Sequence, residues 1–399
     1  MIQPSLPLVA AKEGWLPSTA VGRWSTLGPY YAMFPVDFVR RTIETFCPPG
    51  GAVLDPFCGR GTVPYVAMVT GRPSLGVDLN PVAYVFSLAK IDPEPNAEFL
   101  IERILEVASA VQPADRIPES AFQQWAWSPA VLGFLRAARR QLDWRNSRVD
   151  RTLMAVILVH LHGKLGNAVS YQMRLTKGME PDYAVRWWQE RSMKPPEIDP
   201  VAYFEAKVRW RYRHGVPDGA KARILLEDAR TALPRVRRRF NMLLTSPPYC
   251  GVTNYRVDNW IRLWMLGEAP LPSWEVSQRY GHREQYAALL GDVLGQAARA
   301  LLPDAVVYVR TDARAFTLNA TAGAMQTLWP SRILLAKHGR ARRSQTSHYG
   351  DGSLKPGEVD LLLGPTGLSK PMGFRTFDEI ANELRDEHSI DAAAYAEAA

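Results

Sequence analysis

The sequence predicts a doubly wound α/β sheet of seven strands, interrupted by a large and mostly helical insertion. Three observations point there. Between residues 52 and 90, short apolar runs alternate with helix-like segments in a strand–loop–helix–strand–helix rhythm. The rhythm stops near Ile91 and resumes at Arg223-Ile-Leu-Leu226, and the stretch between reads as helix after helix. Four more apolar runs of strand length then follow, at Asn241–Thr245, Ala305–Arg310, Arg332–Ala336 and Val359–Leu363.

The elements follow in order. The first thirty residues are Pro-rich and irregular. Val36–Phe46 reads as a helix stopped by Cys47-Pro-Pro-Gly-Gly. Ala52-Val-Leu-Asp55 suits a buried parallel strand. The loop Pro56-Phe-Cys-Gly-Arg-Gly61 leads to Thr62, taken as the N-cap of a helix running to Thr70. Ser74–Val77 is the second strand, tipped by Asp78, and Val82–Lys90 the next helix. Within the insertion, helices are expected at Val131–Leu142, Arg151–Leu161, Tyr183–Arg191 and Val201–Arg213. The last has Asp199 as N-cap, Pro200 in its first turn and Gly215 as terminator. Helices at Asn259–Leu266 and Glu284–Leu302 follow the fourth strand. The organisation expected is an N-terminal segment and first half-sheet over 1–90, the insertion over 91–222, the second half-sheet over 223–370 and a tail over 371–399.

With 47% apolar and 22% charged residues in 399, the composition is that of an ordinary globular chain. No apolar run is long enough to span a membrane, and the start MIQPSLPLVAAKEGW does not read as a signal peptide, so the expected location is cytoplasmic. The three cysteines, Cys47, Cys58 and Cys250, have neither disulfide-framework nor zinc-site spacing. His160 and His162 lie in an apolar run and read as core, so no metal is expected. The net charge is +8, and Arg136–Arg213 alone holds sixteen basic and eight acidic residues. A surplus concentrated in one region points to a polyanion partner.

A glycine loop directly after a strand lets a ligand approach the backbone. Gly59-x-Gly61 fails as a dinucleotide fingerprint, because Pro64 stands where a third glycine is needed and Asp55 would repel a pyrophosphate. An acid beside a glycine turn suits a cationic ligand. The methionyl part of S-adenosylmethionine carries both an ammonium and a sulfonium, and Asp78 is placed to accept from ribose hydroxyls.

Tyr31-Ala-Met-Phe-Pro35, Val53-Leu-Asp-Pro-Phe-Cys-Gly-Arg-Gly-Thr62 and Gly76-Val-Asp-Leu-Asn-Pro81 together resemble the cofactor half of the DNA amino-methyltransferases. The resemblance implies a Rossmann-like, seven-stranded S-adenosylmethionine-dependent methyltransferase sheet. It implies that Phe34 and Pro35 close over the cofactor and that Asp55, Phe57, Cys58, Gly59, Gly61 and Thr62 wrap its methionine moiety. Asp78, Leu79 and Asn80 would hold the ribose, and Asp228 with Ala229 would reach the adenine. Arg60 stands where serine is usual, and Val63 where a second threonine is usual.

Asn241-Met-Leu-Leu-Thr-Ser-Pro-Pro-Tyr249 is a strand that ends in a polar residue, two prolines and an aromatic. Pro247 and Pro248 lack N–H groups, which leaves carbonyl acceptors on a stiff backbone. A base amine is a poor nucleophile because its lone pair is delocalised into the ring. Acceptors on its N–H groups, the Ser246 hydroxyl and the Pro247 carbonyl, would localise that pair, and Tyr249 would stack on an extruded base. Carbon-5 cytosine chemistry needs a cysteine nucleophile, usually in a Pro-Cys pair, and neither Cys47 nor Cys250 fits. The Thr-Ser-Pro-Pro-Tyr form resembles cytosine-N4 enzymes more than adenine-N6 ones. The continuation Asn254–Gly267 resembles the helix after the family's catalytic loop, its aromatics split between core and target pocket.

The resemblance covers roughly residues 28–90 and 223–365. The insertion is expected to be a target-recognition lobe, with Arg174, Lys177 and Arg186 on phosphates. Trp187 and Trp188 read as half core, half surface. The Lys337–Arg343 run, with Arg340, Arg342 and Arg343, is a second basic element for a nucleic-acid backbone. The partner expected is duplex DNA with a flipped base, in a restriction-modification setting with a cognate endonuclease. Adenine-N6 methylation, RNA base methylation, a non-catalytic binding subunit and protein-glutamine methylation stay open as alternatives.

Overall fold

The structure, a computed structural model, describes residues 15–30, 33–164, 166–170, 178–251, 254–268, 282–339, 357–365 and 367–385. Among them an eight-stranded sheet runs through the molecule. Its strands are β1 (Val53–Asp55), β2 (Ser74–Asp78), β3 (Ala222–Leu226), β4 (Phe240–Thr245), β5 (Leu301–Asp312), β6 (Leu334–Gly339), β7 (Glu358–Leu363) and β8 (Arg375–Thr376). The spatial order is β3-β2-β1-β4-β5-β7-β6-β8. β1 to β5 pair in parallel, whereas β7 is antiparallel to both β5 and β6, and β6 is antiparallel to β8. All seven strands read from the sequence are present.

Strand side chains alternate between two faces, and each face packs its own core. Met242, Leu244, Val306, Tyr308 and Leu362 point into one cluster, while Leu243, Val307, Val309, Leu361 and Leu363 point into the other. Helices α1 (Ala20–Ser25), α2 (Val36–Phe46), α3 (Thr62–Val69) and α4 (Pro81–Ile91) contribute to the first core. So do α5 (Ala97–Ser109), α6 (Ala121–Ala126), α7 (Pro129–Gln141), α8 (Arg148–His160), α9 (Pro181–Gln189) and α10 (Pro200–Tyr212). The second core holds the short α11 (Ala229–Ala232), and, after α12 (Tyr255–Asp258) and α13 (Trp260–Met265), the helices α14 (Arg283–Ala300) and α15 (Ala315–Leu328). No helix among the described residues is long and apolar enough to cross a membrane.

The insertion is joined tightly to the helices that follow β4. The Trp127 and Trp264 rings stack with centroids 5.2 Å apart. Arg139 donates to the carbonyls of Trp264 (2.7 Å) and Glu268 (3.1 Å), Trp260 Nε1 donates to Met179 O (2.9 Å), and Arg262 Nε donates to Leu158 O (3.2 Å). Trp260 and Trp264 are therefore spent on this packing, with Trp188 buried beside them. Trp187 is half-buried under the Arg191 guanidinium, 4.3 Å from its ring centroid.

Three sequence expectations need correction. Thr62 is the first residue of α3, and Gly61 is its N-cap at φ 76°. The left-handed backbone and the crowding behind it demand glycine there, since a Cβ on Gly61 would lie 2.6 Å from Ser87 Oγ. Helix α1, in a stretch read as irregular, and the helices α5, α6, α11 and α15 were not anticipated. Residues 371–385, set aside as tail, add β8 and a helical stretch over 377–385, whose Phe377, Ile380, Ala381 and Leu384 pack on the second core.

Candidate active site

The sheet order reverses between β2 and β4, with β1 at the switch point. In such sheets ligands bind in the crevice beyond the carboxyl ends of the strands at that point. Here β1 ends at Asp55 and β4 at Thr245, and the Thr245 hydroxyl donates to Asp55 Oδ1 at 2.7 Å in the protein interior. The cofactor-loop strand and the strand leading into Ser246-Pro-Pro-Tyr249 are thus bonded side by side at their tips.

A cavity of about 510 Å³ opens there. Of the residues expected to bind cofactor, Phe34, Asp55, Phe57, Cys58, Gly59 and Thr62 line it. Asp78, Leu79, Asn80, Asp228 and Ala229 join them from β2 and β3, and Ser246 and Pro248 from the loop after β4. The structure does not bring four others to the wall. Pro35 is the N-cap of α2, and Gly61 the N-cap of α3. Pro247 is buried, and Tyr249 is 5% exposed, its hydroxyl donating to Glu358 Oε1 at 3.4 Å. Burial and the Glu358 carboxylate push the Tyr249 hydroxyl well above its ordinary range. Arg186 is exposed on α9, and Arg174, Lys177, Arg340, Arg342 and Arg343 lie outside the described residues.

Two desolvated carboxylates dominate the cavity's electrostatics. Burial raises Asp55 to about 7, against the opposing effects of the Thr245 hydroxyl and the Phe57 N–H, with the Asp78 charge raising it further. Burial also raises Asp78, to about 6, although its Oδ2 accepts the Gly59 N–H and its Oδ1 the Asn80 N–H, both at 2.8 Å. Asp78 therefore clamps the glycine loop as well as facing the cavity. Asp228 differs: its carboxylate is paired with Arg230 at 2.6 Å, and the hydrogen bonds to that side chain hold it below the ordinary range. Two acids made hard to ionise by burial are what a cationic ligand would relieve.

Sequence reading missed several wall residues. Tyr30 is 4% exposed, accepts from Asn80 Nδ2 at 3.0 Å, and lays its ring over Gly59. Its only sequence signal was its place beside the Tyr31–Pro35 segment. Arg256 and Leu263 come from α12 and α13, and Leu289 and Val293 from α14. Those helices were legible, but not which of their faces would look into the crevice. Among the described residues no group of three or more His, Cys, Asp or Glu is placed to hold a metal ion.

The fold and site together define a Rossmann-like α/β protein whose glycine loop is built around acids. Residues 11–87 match the family model of the N6/N4 DNA methylases, described as DNA methylase. The chain is 22% identical over 263 residues to the type II methyltransferase M.BsoBI of Geobacillus stearothermophilus, covering 60% of this chain and 52% of that protein. It is 43% identical over 54 residues to M.Cfr9I of Citrobacter freundii, 14% of this chain and 18% of the relative. The chain thus spans about half the length of the first relative and under a fifth of the second. Among solved structures it is similar to TrmN from Thermus thermophilus, at 14% identity and a TM-score of 0.34 over 86% of this chain and 52% of that one. The resemblance to the DNA amino-methyltransferases is thus supported by a family match over residues 11–87 and by type II methyltransferase relatives.

Proposed function

We propose that the chain is an S-adenosylmethionine-dependent DNA methyltransferase acting on the exocyclic amine of a flipped base, cytosine N4 in particular. The observation that carries this reading is the Thr245–Asp55 hydrogen bond, which fixes the acidic glycine loop and Ser246 in one cavity. The residues fit the cofactor: a volume of about 510 Å³ accommodates a nucleoside with an amino-acid arm, and two carboxylates await positive charge. When bound, S-adenosylmethionine supplies an electrophilic methyl group on a sulfonium.

The chain's own residues do the rest. Asp55 holds the ammonium and Asp78 the ribose hydroxyls, while Tyr30 and Phe34 cover the ligand. The half-buried Ser246 hydroxyl accepts an N–H of the incoming amine and so localises its lone pair. The insertion, docked on α12 and α13, presents DNA to this opening.

Methyl transfer to plasmid DNA and to total tRNA, followed by nucleoside mass spectrometry, tests the reading. The expected product is N4-methylcytosine in DNA. N6-methyladenine would reassign the base, a tRNA product would reassign the nucleic acid, and 5-methylcytosine would overturn the chemistry. Ser246→Ala should slow turnover by about 10- to 100-fold, the worth of one hydrogen bond to a charge-developing group, without weakening cofactor binding.

A further inference from the structure

Arg60 departs from the family pattern at the turn of the glycine loop. It is 8% exposed and lines the cavity. Its Nε donates to Thr62 Oγ1 at 3.3 Å, and its Nη1 to the carbonyls of Gly28 at 3.2 Å and Leu27 at 3.5 Å. Nη2 has no hydrogen-bond partner among the described residues, and none of their carboxylates pairs with the guanidinium. Burial alone depresses it, to about 10, with no acid acting to raise it. A buried guanidinium keeps its charge at neutral pH, and leaving that charge unpaired is strongly unfavourable. Asp55, which lines the same cavity, is an acid raised by burial and awaiting a cation.

Arg60 and Asp55 both line this cavity, and a cation and an acid in one cavity match a zwitterion. Resting on the proposed cofactor, we infer that Arg60 binds the carboxylate of the methionyl arm while Asp55 binds its ammonium. Arg60 is thus a ligand-binding residue that sorts amino-acid-bearing nucleosides from those without a carboxylate. The bonds to Leu27 and Gly28 pre-set the guanidinium and tie the loop to the segment carrying Tyr30.

The test compares S-adenosylmethionine with decarboxylated S-adenosylmethionine, which keeps the amine and sulfonium but lacks the carboxylate, by calorimetry on the full chain. Wild type should bind the carboxylated ligand about 10- to 100-fold more tightly, the span of a charge-assisted hydrogen bond in a desolvated site. In Arg60→Met that preference should collapse to near unity, mainly by loss of affinity for the carboxylated ligand, and Arg60→Lys should keep part of it. Equal loss for both ligands in Arg60→Met makes the residue a structural tie only and overturns the inference. So does wild type binding both ligands equally. Should Arg60→Met fail to fold, wild type and Arg60→Lys decide the matter. If wild type binds neither ligand, it is the proposed function that fails.

Discussion

Asp55 is closed off from water, and its carboxyl titrates near 7 instead of near 4. A folded-state value raised above the unfolded one means that stability is fully present below about pH 4 and is lost as pH rises through about 7. Asp78, raised to about 6, acts in the same direction. The unliganded protein should therefore lose thermal stability between about pH 4 and 7, and Asp55→Asn should flatten much of that loss. Ligand binding reverses the sign, because an ammonium favours the ionised acid. The rise in melting temperature given by S-adenosylmethionine should grow across the same interval in wild type and be absent in Asp55→Asn. Melting curves with and without ligand at four pH values check this, and a ligand effect independent of pH would remove Asp55 from the ammonium site. Asp55, Asp78 and Ser246 were legible in the sequence because each sits at the tip of an apolar strand. Thr245 and Tyr30 were not singled out, since a threonine closing a strand and a tyrosine in a Pro-rich segment carry no periodic or spacing signal.

At the scale of elements, the glycine loop separates two glycine roles. Gly59 has φ 50°, and a Cβ there would meet nothing closer than the Tyr30 ring at 3.8 Å. Gly61 has φ 76° and backs onto Ser87, whose hydroxyl donates to Gly59 O at 2.8 Å. Gly61→Ala should destabilise the protein by about 2–5 kcal/mol, adding left-handed strain to overpacking. Gly59→Ala should cost about 1–2 kcal/mol, from the backbone alone. Urea unfolding of both variants distinguishes them, and equal losses would show that the Ser87 contact yields. Other elements were legible to different degrees for physical reasons. α10 announced itself through Asp199, which accepts from Val201 N at 2.9 Å, and Pro200 in the first turn. α5 carries the same information in Asn96, its N-cap, and in Leu100, Ile101, Ile104 and Val107, but it lies before Val131, where the reading of insertion helices began. α15 is rich in Thr and Ala, so its buried stripe of Leu318, Ala322 and Met325 is faint.

For the whole molecule, the question is where the positive charge meets a polyanion. Arg186 is exposed on α9, close after Met179, which is docked on Trp260. Arg237, Arg238 and Arg239 are also exposed, but they precede β4 and so lie at the end of the sheet opposite Ser246. On the proposed function, duplex DNA delivering a base to the cavity would approach from the Ser246 end. Arg186→Ala should then lower the slope of log affinity against log salt by about 0.9, and Arg238→Ala should leave it unchanged. Fluorescence titrations of a duplex at several salt concentrations measure both. A drop in Arg238→Ala alone would place the duplex on the other end.

The Thr245–Asp55 hydrogen bond joins residues 190 positions apart. On a ribosome adding about 5–20 residues per second, β1 waits roughly 10–40 s for β4 to appear. During that time the central strand presents Val53, Leu54 and Asp55 on an unpaired edge, while the whole insertion is made and can begin to pack. A nascent chain in this condition is open to pairing with other chains and is a natural client for chaperones that shield strand edges. The cleft is thus incomplete until β4, and then Leu289 and Val293 of α14, have emerged.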